Sequence, residues 1–199
     1  MDYYRIIADN FQRTIDTIVM SVDPLAEVII SGGQLMAEAL LADRKIIVCG
    51  NGVDAALAQL FTCNLLTRFG DDRPALPALT LGADSANVTA IAQSIGISEI
   101  FSRQLRALGQ AGDVLLCINS SMGTDNLLRA VQTAQERNMQ VVVMSNTGDS
   151  DIGTLMRPED VELRVDATQP SRIVEIHTMV IHSLCELIDH TLFGTYNRD

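Results

Sequence analysis

Four short apolar runs between residues 45 and 165 constrain the fold more than any other feature of the chain. They cover residues 45–49, 113–118, 140–144 and 161–165. Each is dominated by Ile, Val and Leu rather than alternating with polar residues. That pattern marks strands buried on both faces, as in a parallel sheet with helices on either side. A weaker run at 78–81 reads as a fifth strand. Helical stretches are predicted over 55–69, 85–93, 98–108, 127–138 and 171–192. Strands alternating with helices specify an α/β class protein. The expected architecture is a three-layer α/β/α sandwich around a central parallel sheet.

The first forty residues lack this alternation. Ile6, Ile7, Phe11, Ile15 and Ile18 recur at helical spacing, and Asp23-Pro24 suits the first turn of a new helix. Two helices are therefore predicted, over 3–19 and 23–42. The second is apolar around much of its circumference, so the pair should pack on the core or on another subunit. With 199 residues, against roughly 150 per typical domain, the chain reads as one domain. Its expected parts are a helical arm (1–43), an α/β core (44–193) and a polar tail (194–199).

Charge narrows the partners. There are 14 basic and 25 acidic residues, a formal net charge of −11, and Lys45 is the one lysine. So acidic a chain repels a nucleic-acid backbone and an anionic membrane surface. No apolar run approaches the ~20 residues that span a bilayer, and residues 1–5 do not start like a secretory leader. Cys49, Cys63, Cys117 and Cys185 form no CxxC pair and lie in apolar segments, so buried, reduced thiols of a cytoplasmic protein are expected.

In open parallel sheets ligands bind where strands end and loops lead into helices. Two loops hold that position, Gly50-Asn51-Gly52-Val53-Asp54 and Asn119-Ser120-Ser121-Met122-Gly123-Thr124. The second gathers hydroxyls at a helix start, where free backbone N–H groups can hold an anion without a lysine. An ordinary loop with Thr124 as helix cap is the alternative. Neither a Walker sequence nor a GxGxxG is present.

Several motifs occur in a telling order: Cys49-Gly50-Asn51-Gly52, Arg73-Pro74, Pro77-Ala78, Ile100-Phe101-Ser102, Gly112-Asp113-Val114-Leu115-Leu116 and Asn119-Ser120-Ser121. Together they resemble the sugar isomerase (SIS) domain, in the branch of the phosphoheptose isomerases and the DnaA initiator-associating (DiaA) proteins. The resemblance implies a homotetramer built partly through the N-terminal helices. It also implies a phosphorylated sugar, or a similar small anion, held by Asn51, Gly52, Asp54, Asn119, Ser120, Ser121 and Thr124. Two positions in these loops depart from the pattern the resemblance implies: Asp54 replaces a usual serine, and Met122 a glycine.

The isomerases carry a His and a Glu one turn apart on the helix after the glycine turn. They carry a Gln and a His two turns apart on the last helix. The matching residues here are Leu60 and Asn64, then Val174 and His182. An aspartate often found before the central helix is replaced by Ser94. Of that set only His182 keeps its chemistry, and Glu175 is the one carboxylate on the adjoining stretch that could replace a base. His177, five residues from His182, faces elsewhere and is expected to be a packing histidine; Glu175 and Arg172 are spaced to pair. No metal is expected, zinc being implied only for an active isomerase. The C-terminal run ending in Leu192 and Phe193 resembles the DiaA proteins, in which that pair helps bind DnaA.

The expected function is a tetrameric, non-catalytic or weakly catalytic phosphosugar-binding regulator of DnaA-dependent replication initiation. The alternative is an isomerase converting sedoheptulose 7-phosphate into D-glycero-D-manno-heptose 7-phosphate.

Overall fold

The computed structural model describes residues 2–121, 125–148 and 151–194. A long helix, α1 (Tyr3–Leu41), comes first. The core follows as β1 (Ile46–Gly50), α2 (Val53–Leu66), β2 (Ala78–Thr80), α3 (Ser85–Ser94) and α4 (Ser102–Leu108). It continues through β3 (Val114–Ile118), α5 (Asp125–Glu136), β4 (Gln140–Asn146), β5 (Val161–Val165) and α6 (Pro170–Phe193). The five strands form one sheet in the order β2-β1-β3-β4-β5, and every neighbouring pair is parallel.

The three-layer architecture is as expected. Alternate residues of each strand face opposite layers, because successive side chains leave a strand on opposite sides. Ile46, Val48, Val114, Leu116, Ile118, Val142 and Met144 join a core shared with α1, α2 and α6. Ile47, Cys49, Leu115, Cys117, Val141 and Val143 join a second core with α4 and α5. Central strands buried on both faces explain the unbroken apolar runs. The one lysine serves this arrangement: Lys45 places Nζ 2.6 Å from Asp113 Oδ2, pinning β1 beside β3 at their entry.

Four expectations need correction. The two N-terminal helices are one, and Pro24 lies inside it. A proline removes one donor, leaving the carbonyl four residues earlier without its helical partner. That residue is Met20, on a water-facing stretch, so solvent can satisfy the carbonyl and the helix runs on. The helix predicted over 98–108 is broken into a 3₁₀ turn at Ile97–Glu99 and α4. The fourth strand pair is also longer than expected, because β4 runs on to Asn146. Finally, Cys63 is exposed on α2, while the other three cysteines are buried; all four are free thiols.

The N-terminal half of α1 projects an apolar stripe, with Tyr4, Ile7, Phe11, Ile15 and Val19 all exposed. The C-terminal half packs on α6, where Gly32 and Gly33 permit close approach. A Cβ on Gly33 would lie 3.1 Å from Leu187. Arg172 of α6 ties the two helices, donating to the Asn10 carbonyl at 2.8 Å and to Thr14 Oγ1. No described helix is long and apolar enough to cross a membrane.

The turn from β1 into α2 is tightly packed. A Cβ on Gly50 would come within 2.7 Å of the Asp54 backbone. Gly50→Ala should therefore cost about 2 kcal/mol, in the range of core overpacking. Urea unfolding checks this, and an unchanged midpoint would show that the turn yields.

Candidate functional site

The strand order places one switch point in the sheet. From β1 the chain crosses through α2 to β2 on one side; from β3 it crosses through α5 to β4 on the other. β1 and β3 are neighbours in register from Ile46↔Val114 to Gly50↔Ile118. Their carboxyl ends thus lie side by side while the following helices go to opposite layers. Such a divergence opens a crevice at the strand ends, the usual ligand position in open α/β sheets.

The structure brings the two predicted loops together there. The Asn51 and Asn126 side-chain amides bond reciprocally: Asn51 Nδ2 donates to Asn126 Oδ1 at 2.9 Å, and Asn126 Nδ2 donates to Asn51 Oδ1 at 3.0 Å. The Ser120 backbone N–H donates to Asp54 Oδ2 at 2.9 Å. Asn146, at the end of β4, donates from its amide to the carbonyls of Asn119 and Ser121 at 3.3 and 3.0 Å. Three consecutive strand ends are therefore stitched through side chains. Asn126 and Asn146 were not anticipated as members of this site. Their signal was positional: Asn126 sits in the first turn after the hydroxyl loop, and Asn146 ends a strand.

Access differs among the predicted residues. Asn119 and Ser120 are buried, Asn51 is half-buried, and Gly52 and Ser121 are exposed. Gly52 takes φ +56°, which favours glycine and lets the chain turn directly into α2. Met122 and Thr124 lie outside the described residues. Asp54 is only 2% exposed. Burial pushes its carboxyl up from the ordinary value, against the lowering effect of the Ser120 backbone and hydroxyl.

The α6 residues stand elsewhere. His182 is exposed, with its ring 5.5 Å from that of Phe69. The Asn64 side chain favours the ionised form of the Cys185 thiol of α6, an effect smaller than that of burial. Burial pushes that thiol up to about 12, so it stays protonated. Arg73 joins α2 to α6 by donating to Asp189 Oδ1 at 2.6 Å and to the Asn64 and Leu65 carbonyls at 2.9 and 2.8 Å. Leu60 and Val174 pack against the first core. Two of the four positions that would grip a metal are thus apolar packing residues. Among the described residues, no three His, Cys, Asp or Glu side chains come together as a metal set. These side chains do not fit zinc.

Glu175 pairs with Arg172 at 2.8 Å, as its spacing suggested. Leu192 and Phe193 are half-buried and pack against the first core, and the tail from residue 195 lies outside the described residues. His177 is fully buried, and its Nε2–H donates to the Ser145 carbonyl at 3.2 Å. Its Nδ1 has no partner among the described residues, so the packing histidine is only half satisfied.

Burial lowers His177 from 6.5 to about 4. The unfolded chain therefore takes up this proton first as pH falls. The folded state keeps its full advantage above 6.5 and loses it progressively toward about 4. Protonation should cost roughly 3 kcal/mol across that window. Unfolding free energies measured by urea from pH 7 to 4 should fall more shallowly for His177→Gln than for the wild type. Parallel curves would remove this histidine as a source of acid lability.

The comparisons agree with this geometry. The family model for the SIS domain matches residues 10–146. A phosphoheptose isomerase of Halorhodospira halophila is 44% identical over 194 residues, covering 98% of both chains. One of Alkalilimnicola ehrlichii is 45% identical over 188 residues, covering 94% of this chain and 96% of the relative. The solved structure of a phosphoheptose isomerase from Francisella tularensis superposes with a TM-score of 0.91 at 34% identity, over 96% of this chain and 100% of that one. The chain belongs to the SIS-domain family, as a homologue of phosphoheptose isomerases.

Proposed function

We propose that the protein binds sedoheptulose 7-phosphate in the crevice between the ends of β1 and β3, and that it isomerises this sugar slowly and without a metal. The observation carrying this reading is the near full-length similarity to phosphoheptose isomerases, joined to a strand-end crevice built from the same two loops. Among the described residues of those loops, Gly52, Val53 and Ser121 are exposed. The product is D-glycero-D-manno-heptose 7-phosphate.

The reaction moves a proton from C1 of the ketose to C2 by way of an enediol. His182 is the one family proton-transfer position that keeps a titratable side chain; it stands beside Phe69, away from the crevice of its own chain, so it carries this step from a neighbouring copy in the homotetramer proposed below. A positioned acid–base group contributes about 10²–10⁴-fold. A metal that polarised the carbonyl would add to that, but Leu60, Asn64 and Val174 offer it no anionic or imidazole ligand. Weak turnover follows from the side chains themselves.

Self-association is part of the same proposal. The apolar stripe on α1 from Tyr4 to Val19 has no cover among the described residues, and a homotetramer through these helices would bury it. The DnaA-binding reading has less support. Its anchor residues, Leu192 and Phe193, are already engaged with the protein's own core.

The test is turnover of sedoheptulose 7-phosphate by purified protein, with zinc or with a chelator, beside binding measured by calorimetry. Binding should occur, turnover should be slow and insensitive to zinc, and His182→Ala should abolish turnover while binding persists. Acceleration by zinc of tenfold or more would overturn the metal-free reading. Binding without any turnover would favour a second reading, a sugar-phosphate binder, which the packing of Leu60 and Val174 already supports.

A further inference from the structure

Asp54 stands at a position where its charge has consequences. Its carboxylate lies in the first turn of α2 and reaches across to the loop after β3. There Oδ2 accepts the Ser120 backbone N–H at 2.9 Å. That N–H is the kind of donor that would otherwise face an anion at a strand-to-helix turn. The other oxygen, Oδ1, is buried with no hydrogen-bond partner among the described residues. An orphaned carboxylate oxygen is costly to bury. Residues 50–55 and 119–125 contain no lysine or arginine that could neutralise the charge.

We propose that Asp54 is a built-in anion that occupies the Ser120 N–H and so determines the ligand selectivity of the cleft: it competes with the phosphate group of any sugar phosphate and favours hydroxyl groups at that point. The inference rests on the reading that this loop is the phosphate end of the site. A phosphate docking at the Ser120 N–H would meet a carboxylate already seated there. Either the carboxylate swings away, at a cost in affinity, or the phosphate binds off that donor. Like charges brought together between two loops that contain no lysine or arginine are strongly unfavourable. Asp54→Ser removes the competitor for the N–H, and Asp54→Asn removes its charge alone. Asp54→Asn keeps the size and leaves an oxygen able to accept from Ser120, while Asp54→Ser restores a small hydroxyl. Both variants also relieve the buried orphan charge, so loss of folding is not the expected outcome; thermal unfolding of each confirms it.

Calorimetric titration of wild type, Asp54→Asn and Asp54→Ser with inorganic phosphate, sedoheptulose 7-phosphate and unphosphorylated sedoheptulose separates the possibilities. The expected result is a gain of tenfold or more for both phosphate-bearing ligands in the two variants, with affinity for the unphosphorylated sugar unchanged or reduced. The Ser120 amide resonance should also shift on substitution before any ligand is added. If wild type binds sedoheptulose 7-phosphate and the variants bind it equally or more weakly, the competitor role is wrong while the proposed function stands; weaker binding would make Asp54 a ligand contact. If no protein of the three binds any phosphate-bearing ligand, the loop is not a phosphate site and both readings fall.

Discussion

The parallel pairing of β1 with β3 is the constraint on which the rest depends. Five consecutive residues on each strand pair in register, and all ten residues are buried. Because the strands run parallel, their exits lie at the same end of the sheet. Because the crossovers then part to opposite sides, the exits are not covered by a helix. A crevice at this point is a product of topology, and the glycine turn and hydroxyl loop arrive there as its two walls.

What fills the crevice wall is largely internal. The amide pair of Asn51 and Asn126, the Asp54–Ser120 bond and the Asn146 donations hold three loops in one arrangement. Such a network preorganises a site, since its side chains do not need to be ordered when a ligand arrives. It also spends hydrogen-bonding capacity that a ligand could use. On the α6 side, the same trade is visible in apolar form. Leu60 and Val174 extend the first core on α2 and α6, at two of the positions weighed above as metal ligands. Stability and ligand chemistry draw on the same surface, and here packing has taken the larger share.

The strands were legible in the sequence because burial on both faces leaves a continuous apolar run that no helix period mimics. The two loops were legible because glycine and hydroxyl residues stand out after such runs. Pro24 misled because a proline suits a helix start as well as an exposed interior turn, and only the solvent around Met20 decides between them. The Asp54–Ser120 contact was not legible at all. It joins residues 66 positions apart and depends on which strand neighbours β1, which no local pattern encodes. The pairing of Asn51 with Asn126 is hidden for the same reason. Glu175, by contrast, was readable as a partner of Arg172 because helical spacing brings i and i+3 together.

The central claim is that the ligand sits between the ends of β1 and β3. A crystal structure of the protein grown with sedoheptulose 7-phosphate tests it most directly. The expected density touches residues from both the Asn51–Asp54 loop and the Asn119–Ser121 loop, with no metal ion held at Leu60, Asn64 and Val174. Sugar density elsewhere, such as the apolar groove between α1 and α6 lined by Leu25, Ile29 and Val180, would contradict it.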